Sequence, residues 1–568
     1  MALPDITPEV KKPTDVISQK VLINGATLSG EVRVNAISVS TVHNKISTAT
    51  IVIHDGDVAS REFKLSNSDT FKPGNEIEIK LGHHGDVETV FKGIITKHAL
   101  KCKQNVSSYL FVEARNKAVK LTIGRKNKYF TDKKDSEMIE QVSKAAGIKT
   151  NIPATSVTHK EMVQYYVSDW DFILHRAEAN GMLAFTDLNE LVIAAPNADS
   201  SPVLTATYGD NIFEFETEMD ARRHFKSIKT YSWNAAEQKI EQSEEGKFSF
   251  ASNGNLSDSD LSKVIGLSEL SLHHAGDIKD LELNQWANAY AMKNKLSKLC
   301  GRIKVIGNTK VKPGTVVSIK GISDRFNGNV YVTGVQQQFS LNNWFTEIQF
   351  GWSNEWFYKT DDIIEKPSSG LVPGINGLHT GTVTKIDKDP EGNFRIKVKV
   401  PLIDDKEDGI WARVATLDAG KDRGSFFLPE LNDEVVLGFI NDDPRQAVAL
   451  GMLHSKKNAA PVTVTDKNNE KGFYTRSKMK LFFNDDKKSV TVITPKKKSI
   501  VISDDDGSIT IKDELNNKII MDSAGITIES AKDINLKATG KLIASGKAKI
   551  ELTSAGQAVL KGKMVNIN

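Results

Sequence analysis

At 568 residues the chain is too long for one hydrophobic core, and its length suggests about three or four domains. Its 39% hydrophobic and 26% charged residues are ordinary for globular protein, and no run of 18 apolar residues is present to cross a membrane as a helix. With 75 basic and 72 acidic residues, a net charge of +3 excludes the strongly basic surface of a general nucleic-acid binder.

The opening stretch MALPDITPEVKKPTDVISQK lacks the apolar core of a secretory signal, so a protein made in the cytoplasm without that export route is expected. Residues 20 to 120 alternate in period two between Gly, Asn and Asp turns, in VLINGATLSGEVRV, STATIVIHDG, NEIEIKLGHHG, TVFKGIITKHAL and SSYLFVEAR. That pattern predicts an all-β module. Helices follow. One is predicted over about Ser136 to Ala146, with Met138, Ile139 and Val142 inward and Gly147 as its stop. A second begins after Ser168, whose hydroxyl can cap the first turn; it turns Phe172, Ile173 and Ala177 inward and ends at Gly181. A third, over about Leu283 to Leu299, uses Trp286, Tyr290 and Leu296 and is expected to stop at Gly301. Cys102 and Cys300 read as two buried, reduced thiols.

The segments KPGNEIEIK (Lys72 to Lys80) and KPGTVVSIK (Lys312 to Lys320) share Lys-Pro-Gly, four variable residues and Ile-Lys. Each runs on to Phe-x-Gly, at Phe91 to Gly93 and Phe326 to Gly328, before another strand. Two related β-modules in one chain are expected. The Pro-, Gly- and Ser-rich stretch EKPSSGLVPGING then reads as a linker. Five short apolar runs follow between Leu378 and Leu453: HTGTVTKID, FRIKVKV, IWARVAT, EVVLGFI and AVALGML. They suit a small barrel of the oligonucleotide/oligosaccharide-binding (OB) type, whose aromatics do not interleave with Lys and Arg as a nucleic-acid platform requires.

After Phe483 there is no Phe, Tyr, Trp, Cys or His, and Pro495 is the only proline. A thin core of Ile, Leu and Val is therefore expected. Two apolar columns recur every eight residues, Ile526, Ile534, Leu542, Ile550 and Ala558 beside Ile528, Leu536, Ala544, Leu552 and Leu560. Residues two apart share a strand face, so each octad reads as one strand with both apolar side chains on one side. One such strand cannot enclose its own core. Three chains, each giving one side per turn, would close a prism and leave no lateral edge.

The chain resembles the VgrG-type spike and hub proteins of contractile injection systems, relatives of the hub and spike of contractile-phage baseplates. The resemblance is carried by QYYVSDWDFILHRAEANGMLAF (Gln164 to Phe185), similar to the family's Tyr-x-Glu-Ser-Asp-x-x-Phe-x-x-Arg-x-x-Glu-x-x-Gly segment with Val167 where Glu is usual. It is also carried by WARVATLDAGKDRGSFFLPELNDEVVLGFINDDPRQAVALGML (Trp411 to Leu453), including Arg413, Gly424, Pro429, Asp433, Glu434, Val435, Phe439, Asp443, Pro444 and Gly451, with Asn432 where Gly is common.

The resemblance implies a mainly β protein. An α+β hub of two tube-like β-modules (1–366) precedes an OB-fold barrel (376–456) and a C-terminal triple-stranded β-helix spike, a trimeric β-prism (466–568). It implies a homotrimer that joins the sixfold inner tube protein of an injection machine to a threefold needle among baseplate proteins. The needle would meet the target-cell envelope, carry secreted effectors and hold a PAAR-type tip protein at Val565, Asn566, Ile567 and Asn568. The particle would be expelled to the exterior or into a target cell.

The trimer core is expected at Ile526, Ile528, Ile534, Leu536, Leu542, Ile550, Leu552 and Leu560. No room is seen between barrel and prism, or beyond KMVNIN, for a lysozyme or effector domain. No cofactor, metal or nucleic acid and no catalytic residue is expected. His83 with His84 and His273 with His274 read as turn or loop residues, since adjacent strand residues face opposite ways. Ser503-Asp-Asp-Asp-Gly507 lacks the ligand spacing of a calcium loop and reads as a turn. The competing functions are an envelope-degrading enzyme and a receptor-binding tail fibre.

Overall fold

The computed structural model describes residues 16–103, 106–197, 200–250, 253–353, 355–360, 363 and 365–567. The chain divides into two compact units, residues 1–365 and 366–568, and each is treated on its own. The fold is mainly β, with a hub in the first unit and a small closed barrel followed by a strand meander in the second.

The hub is organised by one large sheet. From the amino-terminal half come β1 (Ile17–Ile23), β2 (Val34–Val42), β3 (Thr48–His54), β4 (Glu76–His83), β5 (Asp86–Lys103) and β6 (Val106–Arg115). From the other half come β7 (Ile212–Glu218), β8 (Cys300–Ile306), β9 (Val316–Lys320), β10 (Gly328–Ser340) and β11 (Asn343–Phe350). The main path runs β7-β8-β11-β10-β2-β3-β6-β5-β4-β1. β2 and β10 join the halves, pairing antiparallel from Ala36 opposite Ser340 to Val42 opposite Gly334. Each half packs its own apolar face, Ile37, Ile51, Ile79 and Val112 in the first and Ile303, Ile319, Val332 and Ile348 in the second.

The two Lys-Pro-Gly turns dock alike. The Gly74 N–H donates to Ile95 O at 2.8 Å and the Ile95 N–H to Asn75 O at 2.9 Å. Gly314 to Val332 O and Val332 to Thr315 O repeat this at 2.9 Å each. Both turns also close Lys-Pro-Gly with the same backbone bond, Asn75 to Lys72 O and Thr315 to Lys312 O, each at 3.1 Å. The Phe-x-Gly motifs are not equivalent by this measure: Gly93 lies opposite Ile77, whereas Gly328 lies opposite Ile319, two residues farther along.

Helices α1 (Asp135–Ala145) and α2 (Asp169–Ala179) lie where the spacing predicts them, with Gly147 and Gly181 in the left-handed region at φ 74° and 64°. A short α3 (Asp258–Ile265), capped by Ser257, was not foreseen; its buried residues are only Leu261 and Ser262, too few for a periodic signal. The predicted third helix is α4 (Asp280–Leu296), and it starts earlier and stops earlier than the sequence suggests. Gly301 is not its stop. It lies inside β8, where a Cβ would come within 2.2 Å of a backbone oxygen, that of Glu216, so glycine is required by strand proximity. Cys102 is exposed on β5 and not buried, while Cys300 is partly buried.

In the second unit all five predicted strands form one closed barrel: β12 (His379–Lys385), β13 (Ile396–Lys399), β14 (Ile410–Val414), β15 (Glu434–Phe439) and β16 (Ala447–Leu453). Val383, Ile396, Val398, Ala412, Val435, Leu437 and Ala449 fill its interior. Asn432 explains its own departure from Gly: it sits at φ 70°, a conformation asparagine tolerates, and its N–H donates to Val383 O at 2.9 Å.

Seven short strands follow as an antiparallel meander: β17 (Glu470–Tyr474), β18 (Lys480–Asn484), β19 (Ser489–Ile493), β20 (Ser499–Ser503), β21 (Ser508–Lys512), β22 (Lys518–Asp522) and β23 (Gly525–Glu529). The Ser503 to Gly507 stretch is the β20–β21 turn, closed by the Gly507 N–H donating to Asp504 O at 3.1 Å.

Candidate assembly site

The meander places a ladder of apolar residues on one face. One column runs Phe473, Leu481, Val492, Ile500, Ile511, Ile519 and Ile528, each directly opposite the next across paired strands. The second runs Phe483, Val490, Ile502, Ile509, Met521 and Ile526, with Lys471 at its upper end. Strand residues two apart face the same way, so both columns lie on one side of the sheet. Nothing among the described residues covers that side: Ile500 is 44% exposed, Ile502 48% and Ile528 57%. A sheet with a bare apolar face is stable only when something packs on it.

Of the eight residues expected to form the trimer core, Ile526 and Ile528 lie on this ladder. The other six, Ile534, Leu536, Leu542, Ile550, Leu552 and Leu560, lie beyond β23, where the chain forms no strand among the described residues, and all are exposed. Strands were expected there. A strand needs a paired neighbour strand, and among the described residues none borders 530–567. Conversely, residues 470–529 build a single-chain antiparallel sheet, an arrangement the octad pattern alone disfavours. Of the four residues proposed to hold a tip protein, Val565, Asn566 and Ile567 are exposed, and Asn568 lies outside the described residues.

Sequence reasoning missed the ladder from Phe473 to Met521. Antiparallel pairing reverses the order of residues in alternate strands, so one column's spacing changes from strand to strand and no fixed period appears. The signal was present in another form, the apolar pair two residues apart in SVTVI, SIVIS and SITIK.

In the hub, the Gln164 to Phe185 segment builds a buried polar cluster. The Asp171 N–H donates to Ser168 Oγ at 3.1 Å, and Gln164 donates through Nε2 to Asp169 at 2.9 Å. Arg176 donates to both oxygens of Asp135, at 2.5 and 3.1 Å, and the amide of Asn180 donates to the same carboxylate at 2.8 Å. The motif's spacing puts an Arg at position 175, where the chain has His175; Arg176, one step on, makes the ion pair.

Burial raises the Asp135 pKa, but His159, Arg176 and Asn180 outweigh it and hold the carboxyl well below the ordinary range. A depressed native pKa contributes stability that is present above the unfolded carboxylate range and is lost as pH falls through the native value. Asp135→Asn is therefore expected to lower hub stability at pH 7 and to flatten its acid dependence, read as urea midpoints between pH 7 and pH 3. Equal acid slopes for variant and parent would remove Asp135 from this role.

A second cluster is fully buried. Glu178 (α2) accepts from Lys293 (α4) at 2.5 Å and from the Phe357 N–H at 2.9 Å, and Lys293 also donates to Glu355 O at 2.5 Å. Burial pushes the Glu178 carboxyl up and the Lys293 ammonium down, each opposed by the other's charge. Among the described residues no group of three or more His, Cys, Asp or Glu is arranged to hold a metal ion. His83 instead engages Gly307 O at 3.1 Å and packs on Trp344. No helix among the described residues is long and apolar enough to cross a membrane.

A strand hub, a five-strand barrel and a sheet with an open apolar ladder follow one another along the chain, and the last two are similar to phage-baseplate families. Residues 379–454 match the family described as the type VI secretion system/phage-baseplate injector OB domain, and residues 489–568 the phage baseplate V C-terminal trimerisation domain. Residues 13–340, more than half of the sequence, match the Alg8 N-terminal domain, and the chain belongs to that family.

A curated relative is the type VI secretion system spike protein VgrG3 of Vibrio cholerae, 31% identical over 105 residues, which is 16% of this chain. The match spans 10% of that protein's length. Among solved structures, a 43 kDa tail protein of prophage MuSo2 from Shewanella oneidensis superposes with a TM-score of 0.46 at 12% identity, covering 60% of this chain and 99% of that one. An E. coli component of the type VI secretion system gives 0.40 at 12% identity, covering 76% and 100%.

Proposed function

We propose that the protein is the trimeric spike and hub at the tip of a contractile injection machine. It joins a sixfold inner tube to a threefold needle, meets the target-cell envelope, and carries a tip protein at its carboxyl end or secreted effectors. The observation that carries the reading is the apolar ladder of residues 473–528, complete on one face and uncovered in a single chain. Three copies turning that face inward bury it, and the match of residues 489–568 to a trimerisation domain supports the number. The work is mechanical and needs no catalytic group.

Light scattering on the full chain tests this. We expect three times 62.6 kDa, binding to the machine's tube protein and no digestion of peptidoglycan. A mass of 62.6 kDa would overturn the trimer. Digestion of peptidoglycan would favour an envelope-degrading enzyme, and binding to intact target cells without affinity for tube protein a receptor-binding fibre.

A further inference from the structure

Lys126–Lys134 and Thr158–Val167 form a two-strand antiparallel ribbon that no third strand borders among the described residues. Its side chains alternate between two faces. Phe130 and Met162 lie opposite each other on the inner face, where Phe130 stacks on Phe172 at 5.5 Å and packs with Met138 and Val142. The outer face has no such cover. Tyr129 and Val163 lie opposite each other there, 84% and 46% exposed, and Tyr165 beyond them is 73% exposed. An isolated two-strand ribbon is marginally stable, and an apolar patch on one marks a place where something packs.

Charge singles out one edge of the ribbon. The stretch RKNKYFTDKK (Arg125 to Lys134) is basic, and its only acid, Asp132, is held by Lys160 at 2.6 Å. Lys126 is bonded to Asp169. Arg125, Lys128, Lys133 and Lys134 hold no carboxylate among the described residues. Arg125 donates instead to Tyr166 O and Ile363 O, each at 3.0 Å, and the Lys128 ammonium lies 5.1 Å from the centre of the Phe130 ring. The straight part of this edge is Lys126–Thr131, about 20 Å long, because Asp132 turns into the left-handed region at φ 50°.

An unpaired strand edge is a template for another strand. A strand added beside Lys126–Thr131 would continue the alternation, with one set of its side chains on the Tyr129 and Val163 face and the other beside Lys126 and Lys128. Apolar and acidic residues in alternation satisfy both. Nucleic acid fits less well. Its phosphates would meet the Glu161 carboxylate, which lies opposite Thr131 on the outer face, and Val163 offers no ring for a base to stack on.

We propose that Lys126–Thr131 is a docking edge for an acidic protein segment in extended form, its carboxylates alternating with apolar residues, which adds as a third strand to the ribbon. Main-chain pairing holds the segment, Tyr129 and Val163 receive its apolar side chains, and the unpartnered cations select its charge. The contact uses one chain only, so it does not depend on the trimer reading.

Fluorescence anisotropy of the full chain with a labelled peptide of alternating Glu and Val, about ten residues long, tests it. We expect binding that weakens as salt is raised. Lys128→Glu with Lys133→Glu should weaken it about tenfold or more, and Tyr129→Ser with Tyr165→Ser should do the same. With the unaltered chain, a peptide carrying Pro in place of Val should also bind about tenfold more weakly or worse, since it cannot donate to a strand edge. No binding of the Glu-Val peptide, equal binding of the proline peptide, or tighter binding of a single-stranded oligonucleotide overturns the proposal. A fall in assembly mass by light scattering in the tyrosine or lysine variants would make the ribbon a contact between copies, and that too overturns it.

Discussion

Glu178→Ala is expected to cost the hub about 3–5 kcal/mol, the usual consequence of removing one partner from a buried ion pair. Lys293 is 1% exposed in its side chain, so its ammonium would lose the carboxylate in a place water does not reach. The Phe357 N–H, which both oxygens of Glu178 accept, would lose that carboxylate at the same time. Three pieces of chain meet here, α2, α4 and the segment from Glu355 to Phe357, so the loss should appear as a cooperative shift of the urea midpoint. The control is Glu178→Leu with Lys293→Met. Removing both charges spares the burial penalty of each, and the double variant should recover most of the loss. A double variant as unstable as the single would mean that shape, not charge, decides the site.

Ile502→Asp should be the most damaging single change for assembly. Ile502 lies mid-ladder between Val490 and Ile509, and in the proposed trimer its three copies would face one another around a dry axis. Three carboxylates there each bring a desolvation penalty of several kcal/mol as well as mutual repulsion. Light scattering at micromolar concentration should show mass falling from the trimer toward 62.6 kDa. Val501→Asp, on the opposite face, should leave the mass unchanged. Equal effects at the two positions would mean that the ladder face is not the interface. Ile534→Asp should loosen the same axis, and unchanged thermal melting would count against its inward placement.

The barrel was legible almost strand for strand because its strands alternate cleanly and its turns carry Gly, Asn and Asp. The capped helices were legible for the same local reasons, as Ser168 shows. Long-range pairing was not. Nothing local in Ala36 to Val42 says that it will lie beside Gly334 to Ser340, roughly 300 residues away, and a Gly such as Gly301 looks the same whether it stops a helix or yields space to a neighbouring strand. The octads after Gly525 announced themselves by a constant period. The ladder before them did not, because its strands run back and forth.

The meander has a kinetic consequence. Every strand from β17 to β23 pairs with the one next in sequence across a short turn, so its contacts are local and its loop-closure cost is small. Each chain can therefore form this pairing quickly, and packing by other copies then stabilises its bare face. Among the described residues no strand borders 530–567, so their ordering waits on association, whereas the meander's pairing forms within one chain and is then stabilised when its bare face is covered. Association is thus expected to begin on the meander's ladder, with residues 530–567 ordering after it.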